Sequence, residues 1–127
     1  MEKPKAIKYQ IVKVTVPEPG ATVNVNVTSD RMYRKITGVL VCFPFYAYFT
    51  QRSSMSLLIN DKEIFPEDFD VKLVSYGAGI QPNEMFYLLD EEAAGSTIKA
   101  KFKDGGDTMG FPYPYTANVY LRLEEKI

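Results

Sequence analysis

The sequence predicts an all-β fold, a two-sheet antiparallel sandwich of about eight strands in jelly-roll or another Greek-key order. Three observations carry this. Apolar residues recur at every second position in almost every apolar stretch, the period of a half-buried strand. Pro, Gly, Asn and Asp punctuate those stretches at roughly the 8–12-residue spacing of sandwiches and barrels. No stretch sustains a helical period. An immunoglobulin-type sandwich ranks second, because it usually offers a core tryptophan and a cysteine pair, and this chain has no Trp and a single Cys.

The elements follow in order. Ile7, Tyr9 and Ile11 alternate with polar residues, and the parity then switches to Val12, Val14 and Val16. A change of face inside one strand predicts a β-bulge near Ile11-Val12. Pro17-Glu18-Pro19-Gly20 turns the chain. Val23, Val25 and Val27 form one face of the next strand, with Thr22, Asn24, Asn26 and Thr28 on a solvated face. Arg34 to Phe43 is apolar on both sides toward its end, as a central strand is, with Gly38 marking a close approach. Met55 to Ile59 leads through Asn60-Asp61-Lys62-Glu63 into Ile64-Phe65. The segment 66–70 breaks the pattern, with room for one helical turn, and Val71, Leu73 and Ser75 alternate again. A loop at 77–83 precedes a strand on Met85, Tyr87 and Leu89, and 91–95 turns. Ile98, Ala100 and Phe102 alternate with lysines, Asp104-Gly105-Gly106-Asp107 opens a long loop, and Ala117 to Leu123 closes the sequence.

A chain of 127 residues fits one domain, 1–127, large enough for one proper core. The net charge of −1, with both signs dispersed, argues against nucleic acid and against a polybasic membrane anchor. The longest apolar run, Gly38 to Phe49, is shorter than a membrane helix requires and contains Pro44. The start, Met1 to Lys5, leads straight into an alternating strand, so a cytoplasmic location is expected.

The chain contains no histidine, which removes the commonest general base and metal ligand. Cys42 stands in the most apolar strand and reads as a core residue rather than a nucleophile. The carboxylates Asp61, Glu63, Glu67, Asp68 and Asp70, and Asp90, Glu91 and Glu92, lack calcium-loop spacing and read as solvated turn residues. Gly77-Ala78-Gly79 and Gly105-Gly106 lack the remaining residues of phosphate-binding loops and read as turn glycines. Asn26-Val27-Thr28 matches a glycosylation sequon by chance. No catalytic residue, metal or cofactor is expected.

Two aromatic segments stand apart: Phe43-Pro44-Phe45-Tyr46-Ala47-Tyr48-Phe49 and Phe111-Pro112-Tyr113-Pro114-Tyr115. A strand buries only alternate residues on one face, so some rings of the first segment must face outward or toward a partner. The prolines of the second enforce an extended, donor-poor backbone that suits an edge or loop. Phe45, Tyr46, Tyr48, Phe49, Phe111, Tyr113 and Tyr115 are therefore the candidate partner-binding residues. The competing reading is that both segments cap one end of the core.

Two further stretches carry a resemblance: Ser56-Leu57-Leu58-Ile59-Asn60-Asp61-Lys62-Glu63-Ile64-Phe65-Pro66 and Ser96-Thr97-Ile98-Lys99-Ala100-Lys101-Phe102-Lys103-Asp104-Gly105. Each resembles a strand and turn of small β-sandwich accessory capsid or head-fibre proteins of tailed bacteriophages, among them the crAss-like kind. The resemblance covers about a sixth of the chain and carries over no site residue. It implies a non-enzymatic structural protein, a virion component assembled in the host cytoplasm. Capsid or fibre subunits would be its partners, and it would be a homo-oligomer or part of a larger assembly. A carbohydrate-binding module is the alternative, with the same tyrosines as a stacking platform.

Overall fold

A computed structural model describes residues 6–43, 53–74, 86–106 and 113–126. Among them are eight strands: β1 (Ile7–Val16), β2 (Thr22–Thr28), β3 (Tyr33–Cys42), β4 (Ser54–Ile59), β5 (Lys62–Phe65), β6 (Tyr87–Glu92), β7 (Thr97–Lys103) and β8 (Tyr115–Lys126). They form two four-stranded antiparallel sheets, ordered β1-β8-β3-β6 and β2-β7-β4-β5. The first strand pairs the eighth, the second the seventh, the third the sixth and the fourth the fifth. That nesting is the jelly-roll order, two Greek keys wound together.

Alternation builds the core. Val12, Val14 and Val16 of β1 and Ala117, Val119, Leu121 and Leu123 of β8 point inward from the first sheet. Met55, Leu57 and Ile59 of β4 and Ile98, Ala100 and Phe102 of β7 answer from the second. Each fully buried Val, Leu, Ile, Met or Phe among them contributes about 1.5–3 kcal/mol. Phe43 crosses between the layers, its ring centroid 6.1 Å from that of Phe102.

The expected bulge near Ile11-Val12 is absent. β1 pairs β8 without a slip from Ile7–Glu124 to Val16–Tyr115. An unslipped strand obeys strict alternation, so Ile7, Tyr9 and Ile11 emerge on the outer face at 42%, 43% and 49% exposure. The irregularity lies instead in β3, where Ile36 faces Leu123 and Gly38 faces Arg122, leaving Thr37 as the extra residue. Gly38 does mark a close approach: a Cβ there would lie 3.0 Å from Phe86 Cδ1. Phe86 covers this glycine and meets Tyr9 with ring centroids 5.6 Å apart.

Two other expectations change. The alternation at Val71, Leu73 and Ser75 is not a strand; Val71–Leu73 is a 3-10 turn. Val71 and Val74, three apart, are both fully buried while Leu73 is exposed, so the true spacing is three rather than two. Cys42 is not in the core either. Val41 and Phe43 take the inward positions, and Cys42 lies half-buried on the outer face opposite Asn118. No helix among the described residues is long and apolar enough to cross a membrane.

Candidate interaction surface at the loop end

The ladders place the strand ends. Val16 faces Tyr115, Thr22 faces Lys103, Ser54 faces Lys103, and Cys42 faces Asn118. One end of the sandwich therefore receives the connections 17–21, 43–53 and 104–114, and an antiparallel count adds 66–86. The opposite end has only the short links 29–32, 60–61 and 93–96. The strands that flank both aromatic segments meet at this end.

Asp104 fastens the root of the second segment to the 17–21 turn. Strict alternation from Ile98, Ala100 and Phe102 turns this residue inward, and it is 7% exposed. Its carboxylate accepts four hydrogen bonds. Oδ1 accepts from the Tyr115 hydroxyl at 2.6 Å. Oδ2 accepts from the Tyr113 hydroxyl at 2.7 Å, Gly20 N–H at 2.9 Å and Gly106 N–H at 3.0 Å. Gly20 and Gly106 both have φ of +76°, the left-handed backbone that glycine adopts without strain. Asp104 also donates its own N–H to Ala21 O at 2.9 Å. The neighbouring Gly105 N–H donates to Ser53 Oγ at 3.1 Å, which ties the start of β4 to the same knot.

Burial pushes the Asp104 carboxyl up, but the bonds from Tyr115, Gly20, Tyr113 and Gly106 outweigh it and hold the carboxyl below the ordinary aspartate value. The Tyr115 phenol is pushed strongly up, first by burial and then by its bond to Asp104 and that residue's charge. The pair is thus fixed as carboxylate and neutral phenol.

Of the seven candidate residues, Tyr113 and Tyr115 are described; Phe45, Tyr46, Tyr48, Phe49 and Phe111 lie outside the described residues. Tyr113 is half-buried, packed against the core. Tyr115 is corrected: at 5% exposure, with Phe43 at 6.1 Å, it is a core ring whose hydroxyl supports the loop end from below. Tyr113 links the two levels, 5.4 Å from Tyr115, and its peptide bond to Pro114 is cis.

The carboxylates read as solvated turn residues are on the surface and partly paired. Asp61 meets Lys99 at 3.6 Å, Glu67 meets Lys101 at 3.2 Å, Asp90 meets Lys35 at 2.9 Å and Glu91 meets Lys62 at 3.0 Å. Such exposed pairs contribute little, about 0–1 kcal/mol each. Asp90, Glu91 and Glu92 belong to β6 rather than to a turn. Among the described residues no three ligating side chains converge on a metal position. An open hollow on the outer face of the second sheet is lined by Asn24, Asn26, Ser56, Leu58, Lys99 and Lys101, with no aromatic ring for stacking.

No family model matches the chain, and neither a curated protein nor a solved structure proves similar to it.

Proposed function

We propose that this protein is a non-enzymatic structural component of a virion, an accessory capsid or fibre-associated subunit that docks on a protein partner through its aromatic loop end. The observation that carries the reading is the Asp104 knot. It spends a buried carboxylate, two phenols and two glycine turns on holding the root of the second aromatic segment against the 17–21 turn, while Phe43 at the head of the first packs on Tyr115. A rigid platform for presented aromatic side chains gains from such a device, because preorganisation lowers the cost of binding. Jelly rolls serve in capsids and in lectins alike, so the fold supports the virion reading only by analogy.

The test is peptide mass spectrometry and antibody labelling of purified particles made by the genome that encodes the chain. A stoichiometric, surface-labelled chain is expected, and Tyr46→Ser with Tyr48→Ser should lower its incorporation while the isolated protein still folds. Absence from the particles would overturn the reading. Binding of the isolated protein on a glycan array, lost in the same double variant, would favour the carbohydrate alternative.

A further inference from the structure

β2 is the last strand of its sheet. It pairs β7 on one side and no described strand on the other. Contacts at both ends fix which way its main-chain groups point. Ala21 O accepts from Asp104 N–H at 2.9 Å, and Ser29 N–H donates to Ser96 O at 2.9 Å, so odd-numbered residues face β7. Even-numbered residues must then face the open edge. Thr28 agrees, since its carbonyl accepts from Gln10 Nε2 at 3.0 Å rather than from β7. The edge thus presents the main-chain groups of Thr22, Asn24, Asn26 and Thr28.

Exposed edges are normally blunted by lysine, proline or a bulge. β2 has none of these within its seven residues, Thr-Val-Asn-Val-Asn-Val-Thr, and its register with β7 runs without a shift. The strand also reads the same in both directions about Val25.

We propose that two copies of this chain pair antiparallel along β2, about a two-fold axis at Val25, so that their sheets join into one continuous sheet. In this register residue 22 faces 28, 23 faces 27, 24 faces 26, and Val25 faces its own copy. The hydrogen-bonded pairs fall on even residues, the ones whose groups are open; a slip of one residue would set even against odd and lose them. About six main-chain hydrogen bonds form on free groups, because the Thr28 carbonyl of each copy already accepts from Gln10 Nε2. Asn24 meets Asn26 and Thr22 meets Thr28, amides and hydroxyls that each donate and accept. The valines extend one apolar row beneath. A two-fold axis demands such a self-complementary patch, and a palindromic strand supplies it. Like charges stay apart: Lys99, Lys101 and Lys103 are on β7, one strand back from the edge, so the two lysine rows stand about 14 Å apart at ordinary strand spacing, beyond a Debye length of about 8 Å. This edge is separate from the loop end, so the pairing does not depend on the docking reading.

The experiment is sedimentation equilibrium on the full chain, with light scattering. The wild-type protein should run at twice the 14.4 kDa of one chain. Asn24→Lys with Asn26→Lys sets lysine against lysine on both sides of the axis and should raise the dimer dissociation constant by about tenfold or more. Asn24→Lys with Asn26→Glu alters the same two exposed positions but places opposite charges across the axis, and should dimerise. Circular dichroism checks that both variants fold. In a Cys42→Ser background, Val25→Cys should cross-link under oxidation, because paired residues at the axis lie about 4.5 Å apart between Cα atoms, within disulfide reach. Val23→Cys should not, since it faces residue 27. A wild-type monomer at millimolar concentration, or identical behaviour of the Lys/Lys and Lys/Glu variants, overturns the proposal.

Discussion

The Tyr115 hydroxyl and the Asp104 carboxylate share the shortest of the four hydrogen bonds that converge on Asp104, 2.6 Å from oxygen to oxygen. Both groups are buried, at 5% and 7% exposure. A bond to a charged, buried acceptor is of the strong kind, and losing it leaves the carboxylate short of a donor.

Asp104→Asn is therefore expected to destabilise the protein by about 2–3 kcal/mol. An asparagine oxygen still accepts, but its NH2 group would face the Gly20 and Gly106 N–H donors that now point at Oδ2. Tyr115→Phe keeps the ring packing on Phe43 and removes the bond to Asp104, so about 1–2 kcal/mol is expected. Urea unfolding monitored by circular dichroism measures both. A change within about 0.5 kcal/mol for both would mean that the knot does not hold the fold together.

The knot also sets a pH dependence. The folded carboxyl of Asp104 lies below its ordinary value, while in the unfolded chain it titrates near about 3.9. Its contribution is fully present above that unfolded value and is lost as pH falls through the folded one. Stability curves of the wild type and Asp104→Asn should be well separated at pH 7 and converge below about pH 4. A constant gap down to pH 2 would show that the charge of Asp104 plays no part.

Much of this was legible in the residues. Period two placed Val14, Val119 and Phe102 inward and so gave the sandwich, because alternation is a local property. The pairing of β1 with β8 was not legible, since nothing local in Ile7–Val16 names a strand more than a hundred residues away. The parity switch at Ile11-Val12 misled for a related reason: a bulge and a strand with two apolar faces write the same sequence. Val71 and Val74 misled because a three-residue spacing within four residues also fits a strand with one exception. Asp104 was overlooked although the signal was present. Extending Ile98, Ala100 and Phe102 by one more step puts a carboxylate on the core face, and a buried carboxylate requires donors. Its donors come from two connections and strand β8, and no sequence pattern marks Gly20 and Tyr113 as neighbours.

Gly38 should tolerate no side chain. A Cβ would lie 3.0 Å from Phe86 Cδ1 and 3.1 Å from Phe86 Cβ, and the latter atom cannot swing away with the ring. Gly38→Ala is expected to cost about 1–3 kcal/mol, the range of overpacking changes. Phe86→Ala removes the covering ring but keeps its Cβ, so it should lower the cost of Gly38→Ala without abolishing it. A thermal-melt double-mutant cycle reads the coupling, and additive losses would show that the two residues do not meet.

Cys42 should be a sluggish thiol. Burial pushes its titration up, and only the thiolate reacts. At pH 8 the native protein is expected to react with a disulfide reagent more slowly than a free cysteine, and to reach that rate once unfolded. A native rate above that of free cysteine would require an activating neighbour.

Val14 and Ile11 lie three residues apart on one strand and point to opposite faces. In the unbroken ladder Val14 faces Ala117 at 0% exposure, while Ile11 faces Tyr120 at 49%. A bulge between them would have turned both toward the core. Val14→Ala empties a packed site where nothing can collapse without moving the second sheet, and about 1–3 kcal/mol is expected. Ile11→Ala removes more carbon atoms but from a half-wetted surface, so its cost to the monomer should be smaller despite the larger truncation, about 1 kcal/mol or less. The order of the two losses in chemical denaturation decides the register. If Ile11→Ala costs as much as Val14→Ala, either a bulge turns Ile11 inward or something in solution covers the outer face. Repeating the measurement at a hundredfold lower protein concentration separates these, because a covering second copy would dissociate and a bulge would persist.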